Sequence, residues 1–207
     1  MRTILVFLFL FSATIGASNV DKRVEMLYPT VIVDVENGHG SGVIIQSDEK
    51  SSIILTARHV IEGETHPNII FFPDNREIQG KVVKISEDHD LALVEIRIPH
   101  PHVAKRTLLL PEVFDEVYKV GGGLNHTTPY PTKGMVSIVD FFTMQISSPI
   151  IFGDSGGGVF SFIDGQYHLV GIISQIGLRP TMVGGDPVPH IAIAVNSSAI
   201  EEFLTEE

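Results

Sequence analysis

The stretch IFGDSGGGVF, residues 151–160, sets Ser155 between an aspartate and three glycines, with apolar residues on both sides. Such a composition describes a sharp backbone bend between two buried strands. The bend has two possible uses. It can be architecture alone, or it can hold a hydroxyl out of a sheet while backbone N–H groups converge on an anion, as acyl transfer requires. A serine hydroxyl is a weak nucleophile at neutral pH, so the second use calls for an imidazole as general base and a carboxylate to orient it. Two other stretches supply these groups. ILTARHVIEG puts His59 just past the end of an apolar strand, and SEDHDLALVEI puts Asp90 at the start of a buried one. Taken singly, His59 reads as a turn residue and Asp90 as a turn cap. Only together with Ser155 do they make a reactive set.

Strands must position all three. TVIVDVENGHGSGVIIQSDEKSSIILTA reads as strand, Asn37-Gly38 turn, strand, polar turn, strand, because β-branched runs are bounded by Gly, Asn, Asp and Ser. NIIFF, KVVKI, LALVEI, VYKVGG, GMVSIV, FFTMQI and HIAIAV continue the rhythm, and Asp164-Gly165 between two apolar runs is the strongest hairpin signal. Only SSAIEEFLTEE reads as a helix, with Ser198 and Glu201 spaced as a capping box. The pattern predicts an all-β fold: two packed six-stranded antiparallel β-barrels with a short C-terminal helix. Barrels of that size are filled by their own side chains. The Pro- and His-rich stretch at 97–112 is the expected crossing between them. The expected division is 1–17 signal peptide, 18–104 N-terminal barrel carrying His59 and Asp90, and 105–207 C-terminal barrel carrying Ser155 and ending in the helix.

Composition narrows the function classes. Residues 1–17 hold one early cation, Arg2, an apolar run from Ile4 to Phe11 and a small residue at Ala17. This is the layout of a secretory signal peptide cut after Ala17, and the run is far shorter than the ~20 residues that span a bilayer. The expected location is therefore secreted or periplasmic, with no membrane association after cleavage. The 25 Asp+Glu against 14 Lys+Arg give a net charge of −11, which argues against nucleic acid as a partner. With no cysteine, disulfides are excluded. The histidines at 89, 100 and 102 match no zinc spacing, so no metal or cofactor is expected and these side chains read as solvent-facing. His39 and His168 receive no role. Asn125 and Asn196 each begin a glycosylation sequon.

TARHV, DLALV and GDSGG, in the order His, Asp, Ser, resemble the chymotrypsin-fold serine peptidases, and the surrounding residues are most similar to the bacterial HtrA-type branch. GSGVII at 40–45 and LVGIIS at 169–174 extend the resemblance over most of the chain. It implies Ser155 as nucleophile, His59 as general base and then acid, Asp90 as the group that fixes the His59 tautomer, and the Gly153 and Ser155 amides as oxyanion hole. It also implies a substrate pocket with Pro149 at its base and walls from Ser174, Ile176 and Ala192, uncharged and narrow, suited to small or medium aliphatic residues. The expected partners are protein or peptide substrates. In the digestive branch of that family an acidic residue before the serine pairs with an N-terminus released by cleavage. Asp154 is acidic, yet no IVGG-like segment occurs near SNVDKRVEMLYPTVIV, so Asp154 is expected to find another donor and activity to need no internal cut. From the short tail after the last strand, no PDZ domain is expected. Two other readings stand beside the endopeptidase: a catalytically silent peptide-binding module with the same fold, and a secreted esterase, since GDSGG also satisfies G-x-S-x-G.

Overall fold

A computed structural model describes residues 22–123, 127–181 and 184–206. The expected signal peptide and the Asn125 sequon lie outside the described residues. The β-branched runs form strands wherever alternate side chains can be buried. In the first sheet these are β1 (Thr30–Val35), β2 (Gly38–Ser47), β3 (Ser52–Thr56), β4 (Asn68–Ile70), β5 (Glu77–Gln79), β6 (Lys81–Ile85) and β7 (Ala92–Ile96). β7 shows the alternation well: Ala92, Val94 and Ile96 are buried while Leu93 and Glu95 are half-buried. The second sheet holds β8 (Lys105–Arg106), β9 (Glu116–Gly121), β10 (Tyr130–Val139), β11 (Thr143–Ile146), β12 (Gly158–Ile163), β13 (Gln166–Thr181) and β14 (Gly184–Asn196). Helix α1 (Ser197–Thr205) follows directly.

The strand order is β5-β4-β1-β2-β3-β7-β6 in the first sheet and β12-β9-β10-β11-β14-β13-β8 in the second. Because β12 also pairs with β13, strands β9 to β14 close into a six-strand barrel, while the first sheet curls as a half-barrel. The fold is the expected chymotrypsin-like double barrel. One strand pair departs from the antiparallel pattern: β8 runs parallel to β13.

Each sheet encloses its own core, Val33, Ile54 and Ile69 in the first, Val136, Met144 and Val170 in the second. A third cluster joins them, with Val43 and Leu55 from the first sheet meeting Phe160 and Ile172 from the second and Phe203 from α1. The Asp164-Gly165 hairpin is present, both residues at positive φ (49° and 84°). The Asn37-Gly38 turn sits one residue earlier than expected, since Gly38 already pairs with Val35. The helix also starts earlier than its capping box suggested. Asn196 is the cap, its side-chain oxygen accepting from the Ser198 and Ala199 amides at 3.0 and 3.3 Å. Asn196 is fully buried and its amide donates to Asp140 O at 2.9 Å, which closes that sequon to a glycan.

Candidate active site

His59 is delivered by a change of backbone direction. β3 ends at Thr56, whose hydroxyl donates to Ser41 O at 2.7 Å, and Ala57 is fully buried. The chain then makes one tight helical turn, Arg58–Ile61, which raises His59 to the surface while Ile61 stays in the core. Asp90 lies in the loop two residues before β7. Arg58 donates to the carbonyls of Ser86 and Glu87 at 2.8 and 3.0 Å, so the turn bearing His59 clamps the loop bearing Asp90.

The two side chains meet. His59 Nδ1 is 2.7 Å from Asp90 Oδ2, and the His59 amide donates to Asp90 Oδ1 at 3.0 Å. Ser174 Oγ donates to Oδ2 at 2.5 Å, giving the carboxylate three donors. Burial alone would raise the Asp90 pKa, but the bonds from the His59 ring, Ser174 and the His59 amide outweigh it and hold the group below its ordinary 3.8. An ionised carboxylate can only accept, so the shared proton sits on His59 Nδ1 and Nε2 is left as the basic nitrogen.

Ser155 stands in the bend before β12. His59 and Ser155 line one cleft of about 410 Å³ together with His39, Phe152 and Gly153. Within the bend, Asp154 N donates to Ile151 O, Gly156 N to Ile173 O and Gly157 N to Asp154 O, at 3.2, 2.8 and 2.9 Å. Neither the Gly153 nor the Ser155 amide takes part in those bonds. Gly153 adopts φ +98°, and a Cβ there would lie 2.3 Å from His39 Nε2 and 2.7 Å from Gly122 O, so only glycine fits. The first sheet reaches across to the bend through Ser41. Its amide donates to Ser155 O at 2.7 Å and its hydroxyl to Gly153 O at 2.8 Å.

Asp154 points inward, away from the cleft. Its carboxylate, fully buried, receives the equally buried ammonium of Lys119 from β9 and the Ile151 amide at 3.0 Å. The Tyr130 hydroxyl faces the same carboxylate. Burial first, then the charge and hydrogen bond of Asp154, push its pKa up to about 12.

The other site residues scatter. Ser174, expected in a pocket wall, is turned onto Asp90. Ala192 is fully buried in the second-barrel core, and Ile176, its strand partner, packs against that core. Pro149 is exposed beside Ile150, whose amide bonds to Pro189 O at 2.8 Å. His89, His100 and His102, expected to face solvent, are half-buried instead. His89 packs on Phe142 with ring centroids 4.9 Å apart, and His100 stacks on Phe71 at 5.4 Å. Lys119 escaped the sequence reading, although it is the lone charge facing inward beside Val117 in VYKVGG.

Residues 40–172 match the trypsin-like peptidase domain family. The chain belongs to that family. The match runs from β2 into β13 and includes His59, Asp90 and Ser155. The Serine protease Do-like HtrA of Bacillus subtilis (strain 168) is 26% identical over 194 residues, covering 84% of this chain and 40% of the relative. The chain thus spans well under half the length of that relative. A serine endoprotease structure from Yersinia pestis superposes with a TM-score of 0.74 at 21% identity, over 92% of this chain and 66% of that one. An inactive mutant form of Rv3671c from M. tuberculosis H37Rv gives 0.65 at 16%, over 85% and 84%. These two likenesses bear on fold. Among the described residues no helix is long and apolar enough to cross a membrane.

Proposed function

We propose that this trypsin-like peptidase is a secreted serine endopeptidase that works through Ser155, His59 and Asp90. The observation that carries the reading is the 2.7 Å contact between His59 Nδ1 and Asp90, with His59 and Ser155 lining one cleft. His59 Nε2 takes the Ser155 proton as Oγ attacks the substrate carbonyl. The Gly153 and Ser155 amides receive the oxyanion, His59 returns the proton to the leaving amine, and water then hydrolyses the acyl-enzyme. Asp90 stays ionised throughout and stabilises the imidazolium as it forms. An esterase elbow needs a helix directly after the nucleophile; here the strand β12 follows Ser155.

Labelling with a fluorophosphonate probe tests the proposal. Wild type takes the label at Ser155 and cleaves peptides, and Ser155→Ala does neither. Folded wild-type protein that refuses the probe would leave a silent binding module. Cleavage after small or medium aliphatic residues in a peptide library fits an uncharged pocket, whereas dominant cleavage after Arg or Lys would not.

A further inference from the structure

Two clefts share His59, and they differ in what lines them. One, of about 780 Å³, runs over Asp90, Ser174 and Gln175. The other, the 410 Å³ cleft of Ser155, has no lining residue from β13 or β14. Strand direction sets the order in which a peptide would cross them. β12 pairs antiparallel with β13 as far back as Gly158, and the bend extends that edge: Gly156 N donates to Ile173 O and Ile173 N to Gly157 O, both at 2.8 Å. The chain then turns away at Ser155. Beyond Ile173, β13 pairs with β14 on its other side, and among the described residues no strand pairs with Ser174–Ile176 on this one. A peptide added there antiparallel, as strand addition requires, takes up the line of β12 and runs N to C from Ile176 toward Ser155. Its residues before the cut lie along β13. The residue after the cut enters the 410 Å³ cleft.

That cleft gathers an apolar lining from three elements. Val35 ends β1, Val60 lies in the tight turn after His59, and Phe152 stands in the bend just ahead of Gly153. Val35 and Val60 are half-buried and packed against the first-sheet core. Val60 is fixed further: a Cβ on Gly40 would lie 2.6 Å from both its methyl carbons, so its isopropyl group rests on the backbone of β2. Phe152 is the opposite case. Its ring is 88% exposed, although the Asp154 amide, donating to Ile151 O at 3.2 Å, closes the backbone turn that carries it. An isolated exposed ring is ordinary on a protein surface, but this one shares a reactive cleft with two valines backed by the core. The exposed Glu62 stands on the same cleft and puts a negative charge there.

We infer that Phe152 is a specificity-determining residue: with Val35 and Val60 it receives the side chain of the residue that follows the cut, and it selects a large apolar one, aromatic before aliphatic. This rests on the peptidase reading above and assigns the leaving side of the substrate. An aromatic side chain gains twice, from apolar area removed from water and from an offset or edge-to-face contact with the Phe152 ring. Glycine gains neither. Aspartate meets the charge of Glu62.

The test uses quenched fluorescent peptides with valine just before the cut and Phe, Leu, Gly or Asp just after it, the cut being located by mass spectrometry. In wild type kcat/KM falls in that order. Phe stands about 10-fold above Gly, the low end of what an apolar pocket discriminates, because this cleft is open. In Phe152→Ala the Phe-over-Gly ratio falls to about 1, and Phe152→Tyr restores it. The ratio is the readout because Phe152 adjoins Gly153: a substitution that only disturbed the bend would slow all four peptides alike and leave the ratio at its wild-type value. That outcome overturns the inference, as does a Phe152→Ala enzyme whose altered preference lies before the cut. Binding is measured without cleavage. Ser155→Ala protein binds the fluorescein-labelled Phe peptide about 10-fold more tightly than the Gly peptide by fluorescence anisotropy, and Phe152→Ala/Ser155→Ala binds the two alike; equal affinities in Ser155→Ala also overturn the inference. Failure of the peptidase reading appears separately, as wild type that takes no fluorophosphonate label and cleaves none of the peptides.

Discussion

Asp90 carries a charge that most buried carboxylates would shed, and its three donors explain how. The folded state favours its ionised form, so this group's contribution to stability is complete above the ordinary 3.8 and is lost as pH falls through the depressed folded value. Acid unfolding driven by Asp90 thus begins only below 3.8, which an acid titration followed by circular dichroism measures. Ser174→Ala removes one of the three donors and leaves the other two. It raises the Asp90 pKa toward 3.8 and lowers kcat/KM by roughly 10-fold, the value of a hydrogen bond to a charged acceptor. Asp90→Asn is more severe, about 10⁴-fold in kcat, because an amide no longer fixes the His59 proton on Nδ1. Equal losses from the two substitutions would mean that Ser174, not the ionised Asp90, orients the ring. Residue types and order along the chain were enough to bring His59, Asp90 and Ser155 forward. The sequence could not show that Ser174 turns onto Asp90, because it sits at a register irregularity in the middle of β13 and its partner is on a loop from the other sheet. Lys119 was hidden for a similar reason. Its partner is 35 residues away, and a lysine in a strand ordinarily faces water.

At the scale of elements, the site is made where strands stop. His59 follows β3, Asp90 precedes β7 and Ser155 precedes β12, so regular pairing holds three loops in place while their side chains remain accessible. Gly156 illustrates how tight this is. It sits at φ +81°, and a Cβ would lie 2.0 Å from Ser41 O, on the strand that also bonds the Ser155 carbonyl. Gly156→Ala must push β2 away from the bend or twist the bend itself. The expected result is loss of fluorophosphonate labelling in a protein whose far-UV spectrum is unchanged; undiminished labelling would show that the bend tolerates the shift. Strand identity was legible because the periods of β7 and its neighbours are short and bounded by turn residues. Element ends were less so. The helix cap fell on Asn196 rather than Ser198 because Asn196 is fixed from outside the helix, its amide bonded to the Asp140 and Phe141 carbonyls. Local spacing carries no trace of that tertiary contact.

For the whole molecule, the decisive contact is the one between the two sheets, since His59 and Asp90 come from one and Ser155 from the other. Two kinds of interaction hold it. Ser41 stitches β2 to the bend by hydrogen bonds, and the shared apolar cluster binds Val43, Leu55 and Leu91 to Val120, Phe160 and Ile172. Helix α1 completes that cluster after leaving the second barrel. Its Phe203 is fully buried, and Lys84 from β6 of the first sheet donates to the carbonyls of Phe203 and Glu206 at 2.5 and 2.7 Å, closing the helix end. The helix thus works as a strap from one sheet to the other. Phe203→Ala removes the ring that both sheets share, at a cost of about 3–5 kcal/mol. For a chain of this length each kcal/mol is worth ~2–4 °C, so Tm drops by roughly 10 °C or more. Because the lost contact belongs to both sheets, scanning calorimetry shows one transition, with the calorimetric enthalpy equal to the van't Hoff value, moved as a whole. Two separated transitions, only one of them displaced, would mean that the sheets unfold independently and that the cluster does not couple them.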